Sequence, residues 1–393
     1  MNHRDFDKRS PFAAIPSACH PLATLVTKAT AFRRTRFGVD VRRSTHRQRV
    51  PTLRALLVAG LILDCAAPLA VPRADIPRNM EAAAIDRPGG PEVLTLHTLP
   101  VPALGGDEVL IALHTVGVGP WDVDVRERVD YWKSRHYPLV LGVDGSGTIA
   151  ALGSKVRGFK IGDAVYSYVW NNPKGGFYAQ YVAVPVNAVG HVPMGMSLRD
   201  AGAAAVVALT AQQGIDDALQ LRAGETVIIH GASGGVGTLA VQFAKLRNAK
   251  VLAIASGDDG VTLVRHLGAQ VAVDGHRDDI QGAAREFAPA GVDAVLALAG
   301  GAALEQCLAA LKPNGRFAYP SGVDHVPKVG EGVRVVRYDA KTGPREFERL
   351  NAAITGAKLE VPIAAEYPLA DAAMAQQRVS AGHVLGKVVL RVR

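Results

Sequence analysis

The residues whose spacing most directly implies chemistry lie in Thr226-Val-Ile-Ile-His-Gly-Ala-Ser-Gly-Gly-Val-Gly-Thr-Leu-Ala-Val-Gln-Phe-Ala-Lys. An apolar strand runs into Gly231, Ser233, Gly234, Gly235, Val236 and Gly237, then into an amphipathic helix. The turn must be tight, so a side chain at Gly231 or Gly234 is expected to obstruct it. Bare amides at a helix N-terminus offer free N–H donors and positive partial charge, which suits a diphosphate. Gly237 is expected to let the helix pack closely on the strand. Alone, such a turn is also compatible with a flexible loop, so the elements around it decide.

From about Leu198 apolar strands alternate with helical stretches. Strands are expected at Thr226–His230, Lys250–Ile254, Gln270–Val273, Asp293–Ala297, Arg316–Tyr319 and Val333–Arg337. Helices are expected at Ala201–Leu209, Gly235–Arg247, Ala302–Leu311 and Pro344–Gly356, the last with proline at its first position. Six strands joined by crossovers form a doubly wound parallel sheet, which binds a dinucleotide on its first turn. The second strand ends Ile254-Ala-Ser-Gly-Asp-Asp. An acidic residue at that tip would hold the ribose 2′-hydroxyl of NADH, whereas Ser256 leaves room for a 2′-phosphate. Asp258 and Asp259 would repel a phosphate, or serve as favourable charges in a helical first turn. NADPH is expected ahead of NADH, which remains open.

Between Met80 and about Gly190 short apolar and β-branched runs are separated by Gly105-Gly106, Gly119-Pro120 and Gly175-Gly176, which suggests a largely antiparallel β domain. Lys387-Val-Val-Leu-Arg-Val reads as a terminal strand returning to it, with Lys387 as a solvated strand-end charge. The expected organisation is an α/β chain. Residues 1–79 form a disordered or mis-annotated extension, and 80–200 the first part of a β-rich catalytic domain. Residues 201–344 form the dinucleotide-binding domain, and 345–393 return to the catalytic one.

The formal charge of +8 invites a nucleic-acid or membrane partner, but its distribution argues otherwise. Residues 1–79 hold 14 basic and 5 acidic side chains, against 30 and 31 in the remainder. The apolar run Ala55–Leu63 is too short to span a bilayer and resembles the apolar part of a signal peptide, though far from the N-terminus. Of Cys19, Cys65 and Cys307 only the last lies in the body. It can form neither a four-ligand zinc site nor an intrachain disulfide there, which fits the cytoplasm.

Over residues 80–393 the chain resembles the quinone oxidoreductase branch of the medium-chain dehydrogenase/reductase superfamily. The resemblance rests on Gly89-Gly-Pro-Glu-Val-Leu, Leu141-Gly-Val-Asp-Gly-Ser-Gly-Thr-Ile, Gly176-Phe-Tyr-Ala-Gln-Tyr-Val-Ala-Val-Pro, the glycine-rich turn, Leu267-Gly-Ala and Gly382-His-Val-Leu-Gly-Lys-Val-Val-Leu. It implies a Rossmann domain inserted in a GroES-like, β-rich catalytic domain. Zinc-dependent relatives carry Cys-His and Gly-His-Glu where this chain has Gly119-Pro-Trp-Asp and Gly142-Val-Asp. The resemblance therefore implies no metal. It implies an NADPH-dependent reductase that passes hydride to a quinone or an α,β-unsaturated carbonyl, acceptors electrophilic enough to need no Lewis acid.

By the same resemblance, Gly117–Arg126 lines the nicotinamide and substrate, Trp121 is a stacking platform or a core residue, and Tyr131 is the proton donor or a surface aromatic on a loop. Thr210 approaches the nicotinamide half or caps a helix. Gly300 and Gly301, with Pro320, Ser321 and Gly322, close the cofactor site beyond the fourth and fifth strands. Gly119, Asp124 and Ala297 stand where the family has Asn, Tyr and Asp. A homodimer is implied. Two other readings stay open: a non-catalytic coenzyme-binding module that recruits a partner or single-stranded nucleic acid, and a metal-free alcohol dehydrogenase.

Overall fold

The computed structural model describes residues 76–128 and 136–393. The expectations for residues 1–75 and for Tyr131 lie outside these described residues.

The first half is built from β1 (Asn79–Ile85), β2 (Thr95–Pro100), β3 (Glu108–Val118), α1 (Pro120–Glu127), β4 (Leu139–Val140), β5 (Asp144–Leu152), β6 (Ala164–Tyr168), β7 (Tyr181–Pro185) and β8 (Val189–His191). β1 pairs antiparallel with β2 and β4. One edge of the long β3 pairs with β5, and its other edge serves β7 along Glu108–Ala112. α2 (Leu198–Gln213) follows, with the Ser197 hydroxyl accepting from the Asp200 N–H at 3.0 Å. That cap starts the helix before Ala201, and it continues past Leu209 because Ala and Gln, good helix formers, follow. α2 packs against β3, β5 and β6 on one side. It also packs against α3 (Gly235–Leu246).

The second half begins with β9 (Thr226–His230) and continues after α3 with β10 (Lys250–Ala255), α4 (Gly257–Leu267), β11 (Val271–Asp274), α5 (Ile280–Phe287), β12 (Val292–Ala297), α6 (Ala302–Ala309), β13 (Leu311–Pro320) and β14 (Arg334–Tyr338). All six strands are parallel, in the order β11-β10-β9-β12-β13-β14. This is the doubly wound order in which the crossovers reverse beside β9 and open a crevice at the strand ends. β13 begins five residues earlier than its apolar run suggests. Leu311 already pairs with Val292, and the turn sequence Pro313-Asn-Gly is absorbed as an irregularity with Asn314 at φ 60°. α6 is correspondingly shorter than its sequence suggests.

α7 (Pro344–Ala357), β15 (Ile363–Pro368), α8 (Ala372–Ser380) and β16 (Lys387–Arg391) complete the chain. β16 pairs antiparallel with β3 along Thr115–Val118 and parallel with β15, so the terminal strand does return to the first sheet. The parallel sheet is thus inserted within a discontinuous β-rich region. The boundary drawn at 200/201 falls inside α2, and that at 344/345 at the first residue of α7. Among the described residues no helix is long and apolar enough to cross a membrane.

Candidate active-site cleft

The turn after β9 meets its expectation at Gly231 and Gly237 but not at Gly234. Gly231 sits at φ 78°, a left-handed conformation open to glycine. Its amide and that of Ala232 donate to the Ile254 carbonyl at 3.1 and 2.9 Å, which fixes the turn against β10. At Gly237 a Cβ would lie 2.2 Å from the Gly231 carbonyl oxygen, so only glycine lets α3 approach this closely. Gly234 differs from its expectation. A Cβ there would meet nothing nearer than the Gly231 oxygen at 3.6 Å, an ordinary contact. The turn tolerates a side chain at Gly234, so the open space above it is available to a ligand. Gly235 starts α3, with Gly386 and Lys387 behind it. Val236 packs against the core. Ser233 is buried, and its hydroxyl accepts from the Ser256 N–H at 3.2 Å.

The neighbouring strand ends are tied to this turn. His230, the last residue of β9, faces the Gly300 carbonyl oxygen through Nε2 at 3.3 Å. Burial lowers the His230 pKa and keeps the ring neutral. A carbonyl only accepts, so Nε2 carries the hydrogen. Gly301, at φ 95°, then opens α6. Beyond β13, Ser321 is tied to the end of β14. Its N–H donates to the Tyr338 carbonyl at 3.1 Å and its hydroxyl to Asp339 at 2.9 Å. Pro320 ends β13, and a Cβ on Gly322 would meet nothing within 4 Å. Thr210 lies inside α2 and is no cap. Its hydroxyl donates to the Val206 carbonyl one turn back at 2.8 Å. Asp124, on α1, is exposed. Desolvation raises its carboxyl, Arg128 opposes that, and Asp324 from the loop after β13 reinforces the rise.

Sequence reasoning missed the most unusual feature, a buried charged cluster behind the turn. Lys387 is 4 % exposed and its Nζ has no hydrogen-bond partner, so it is no solvated strand end. β16 is drawn inward by the Gly386 N–H, which donates to the Ser233 carbonyl at 2.9 Å. The Lys387 ammonium lies 4.6 Å from the centre of the Trp121 ring system, within cation–π range. Trp121 therefore packs half-buried against the core with a cation on its face. Asp122 and Asp144 complete the cluster, both fully buried. Asp122 is the third residue of α1. It accepts from the Gly119 N–H at 2.8 Å, completing the helix start, and from the Tyr178 hydroxyl at 3.1 Å. Burial pushes its carboxyl up to about 7. Burial also raises Asp144, opposed by Lys387 and by the Val206 N–H, which donates to it at 3.3 Å. A Cβ on Gly117 would lie 2.7 Å from Asp144 Oδ1 and 2.8 Å from Lys387 Cε, so this glycine makes room for the pair. The clue in the sequence was that both aspartates lie in the two segments, Gly119-Pro-Trp-Asp and Gly142-Val-Asp, that stand where zinc-dependent relatives carry Cys-His and Gly-His-Glu.

Comparison with known proteins agrees with this geometry. Residues 105–194 match the family model of the alcohol dehydrogenase GroES-like domain, and residues 267–390 that of a zinc-binding dehydrogenase. A quinone oxidoreductase of Lama guanicoe is 30% identical over 80% of this chain and 98% of its own length. A 2-methylene-furan-3-one reductase of Solanum lycopersicum is 29% identical over 70% and 75%. Among solved structures, an NAD-dependent alcohol dehydrogenase aligns with a TM-score of 0.74 at 29% identity, over 80% of this chain and all of its own. A mycobacterial protein complexed with NADPH aligns at 0.70 and 30%, with the same coverage.

The second family description invites a zinc ion. Asp122 is engaged with the Gly119 amide and Tyr178, Asp144 accepts from the Val206 amide through Oδ2 while its Oδ1 has no hydrogen-bond partner, and among the described residues no group of three or more His, Cys, Asp or Glu side chains could hold a metal. The described residues do not fit zinc. The cradle of Gly231, Gly234 and Gly237, by contrast, fits the diphosphate of a nicotinamide coenzyme. By its fold, its glycine-rich cradle and its kinship along most of its length, the chain belongs to the quinone-oxidoreductase-like branch of the medium-chain dehydrogenase/reductase superfamily and is a nicotinamide-dependent oxidoreductase.

Proposed function

We propose that this oxidoreductase is an NADPH-dependent, zinc-independent reductase of quinones or α,β-unsaturated carbonyls. The observation that carries the reading is the pairing of a fitted dinucleotide cradle at Gly231–Gly237 with a cleft whose described residues offer zinc no ligand set. Kinship with a quinone oxidoreductase and with a reductase named for an enone supports the acceptor class. The solved NADPH complex of a relative, and the neutral Ser256 at the tip of β10, support the coenzyme.

The bound coenzyme supplies hydride. The chain's own residues do the rest. Amides at the start of α3 hold the diphosphate, and Gly300–Gly301 with Pro320–Gly322 bound the far side of the crevice. Trp121 presents a flat, half-buried ring stiffened by Lys387 beneath it. An acceptor that is already electron-poor needs only a weak proton donor at its oxygen, a role assigned to the Tyr131 hydroxyl. On this reading residues 80–200 and 345–393 form the catalytic half and 201–344 the coenzyme half. The exposed edge of β14, with Val335 on its surface, is the face for a homodimer. The buried, unpaired Cys307 fits a cytoplasmic protein.

The test is NADPH oxidation at 340 nm with a simple quinone and with a cyclic enone, with and without a chelator. Turnover that ignores the chelator is expected. Inactivity on both acceptors, or loss of activity to the chelator, contradicts the proposal.

A further inference from the structure

Ser256 is the point where three parts of the molecule meet. It follows β10, and its hydroxyl lies 3.4 Å from His276 Nε2 and 3.0 Å from His383 Nδ1. His276 stands in the loop after β11, within the parallel sheet. His383 does not belong to that sheet. It comes from the loop between α8 and β16, in the β-rich half.

His383 is held there. Its backbone is left-handed, at φ 47°, which a side-chain-bearing residue keeps only when its surroundings enforce it. Arg378 enforces it, donating to the carbonyls of Gly382 and His383 at 2.8 and 2.9 Å. The far nitrogen, Nε2, faces Asp259 Oδ2 at 3.0 Å, and that contact lowers the Asp259 carboxyl.

The acidic residues that the sequence set against a phosphate are each paired with a basic side chain. Asp259 faces His383, and Asp258 pairs with Arg277, which also donates to Asp274 at 2.7 Å. What remains turned toward Ser256 is a hydroxyl and two imidazoles, with the Arg277 guanidinium held by the neighbouring aspartates. Protonated imidazoles donate from both nitrogens and carry the charge that a phosphate dianion seeks. The chain Ser256–His383–Asp259 resembles a hydrolytic triad only superficially. The Ser256 N–H is already spent on the Ser233 hydroxyl, so it cannot stabilise an oxyanion.

We propose that His383, together with His276, grips the phosphate on the adenosine ribose of NADPH at Ser256, so that the coenzyme itself bridges the parallel sheet to the loop preceding β16. This inference rests on the NADPH reading above and adds what reads the phosphate: a side chain delivered from the opposite half of the molecule.

The experiment is fluorescence titration of NADPH and of NADH into the full chain, its His383→Ala variant and its His276→Ala variant. His276 lies on an exposed loop, so that variant tests the site even if His383→Ala disturbs the turn. Wild type is expected to bind NADPH more tightly. Each variant is expected to lose about tenfold or more in NADPH affinity, the worth of a charge-assisted hydrogen bond, with NADH moved by less than about twofold. Equal weakening of both coenzymes, or no change in either, overturns the inference and leaves the proposed function standing. Wild-type protein that binds neither coenzyme overturns the proposed function itself.

Discussion

The Lys387 ammonium rests over the Trp121 ring at 4.6 Å without a hydrogen-bond partner, directly behind the glycine-rich turn. A desolvated ammonium is costly, and its compensation is the pair of buried carboxyls, Asp122 and Asp144, for both of which it is an opposing charge. Several consequences of that relationship can be measured.

Lys387→Met keeps the length of the side chain and removes the charge. Asp122 and Asp144 then lose the cation that favours their ionised forms, and their protons bind more tightly in the folded state. The variant is expected to be less stable than wild type by about 3 kcal/mol near pH 8, the scale for breaking a buried charge pair, and closer to wild type near pH 5. Urea unfolding at the two pH values measures this. An equal loss at both would show that Lys387 serves packing alone.

Asp122 makes the sign of the pH dependence explicit. Its folded-state carboxyl is raised to about 7 from an ordinary value of 3.8, so the folded protein holds a proton that the unfolded chain has released. The stability it contributes is complete below the unfolded value and is lost as pH rises through 7. Asp122→Asn has no proton to lose, and its amide oxygen can still accept from Gly119. Its melting temperature should fall less between pH 5.5 and 8 than that of wild type. Parallel melting profiles would count against a protonated Asp122.

Gly237→Ala and Gly234→Ala separate fold from ligand. At Gly237 the new Cβ meets backbone at 2.2 Å, whereas at Gly234 it meets only ordinary contact at 3.6 Å. Gly237→Ala is expected to lower stability by about 2 kcal/mol or more, as overpacking does. Gly234→Ala should melt like wild type yet bind coenzyme about tenfold more weakly, because its methyl occupies the space a diphosphate enters. Thermal melts and coenzyme titrations decide. Unchanged coenzyme affinity in Gly234→Ala would place the diphosphate elsewhere.

Much of this molecule was legible in its residues. The six parallel strands follow from apolar runs of the right length, and the glycine-rich turn from its place between an apolar strand and an amphipathic helix. Local pattern failed where tertiary packing took over. α2 outran its apolar stretch because Ser197 caps it early, and β13 absorbed Pro313-Asn-Gly that reads as a turn. Lys387 was unreadable for a deeper reason. A lysine near a chain end is ordinarily solvated, and only pairing of β16 with β3, together with the Gly386–Ser233 hydrogen bond, carries it beneath Trp121. Likewise nothing near Ser256 in sequence announces His383, 127 positions away.

Transfer of hydride from the coenzyme to a metal-free pocket's acceptor is tested most directly with NADPH deuterated at the nicotinamide C4. The product of a cyclic enone is then analysed by mass spectrometry in chelator-treated buffer. The account predicts one deuterium at the carbon β to the carbonyl, from one of the two C4 faces. Product without deuterium from either face, or no product until zinc is restored, would contradict it.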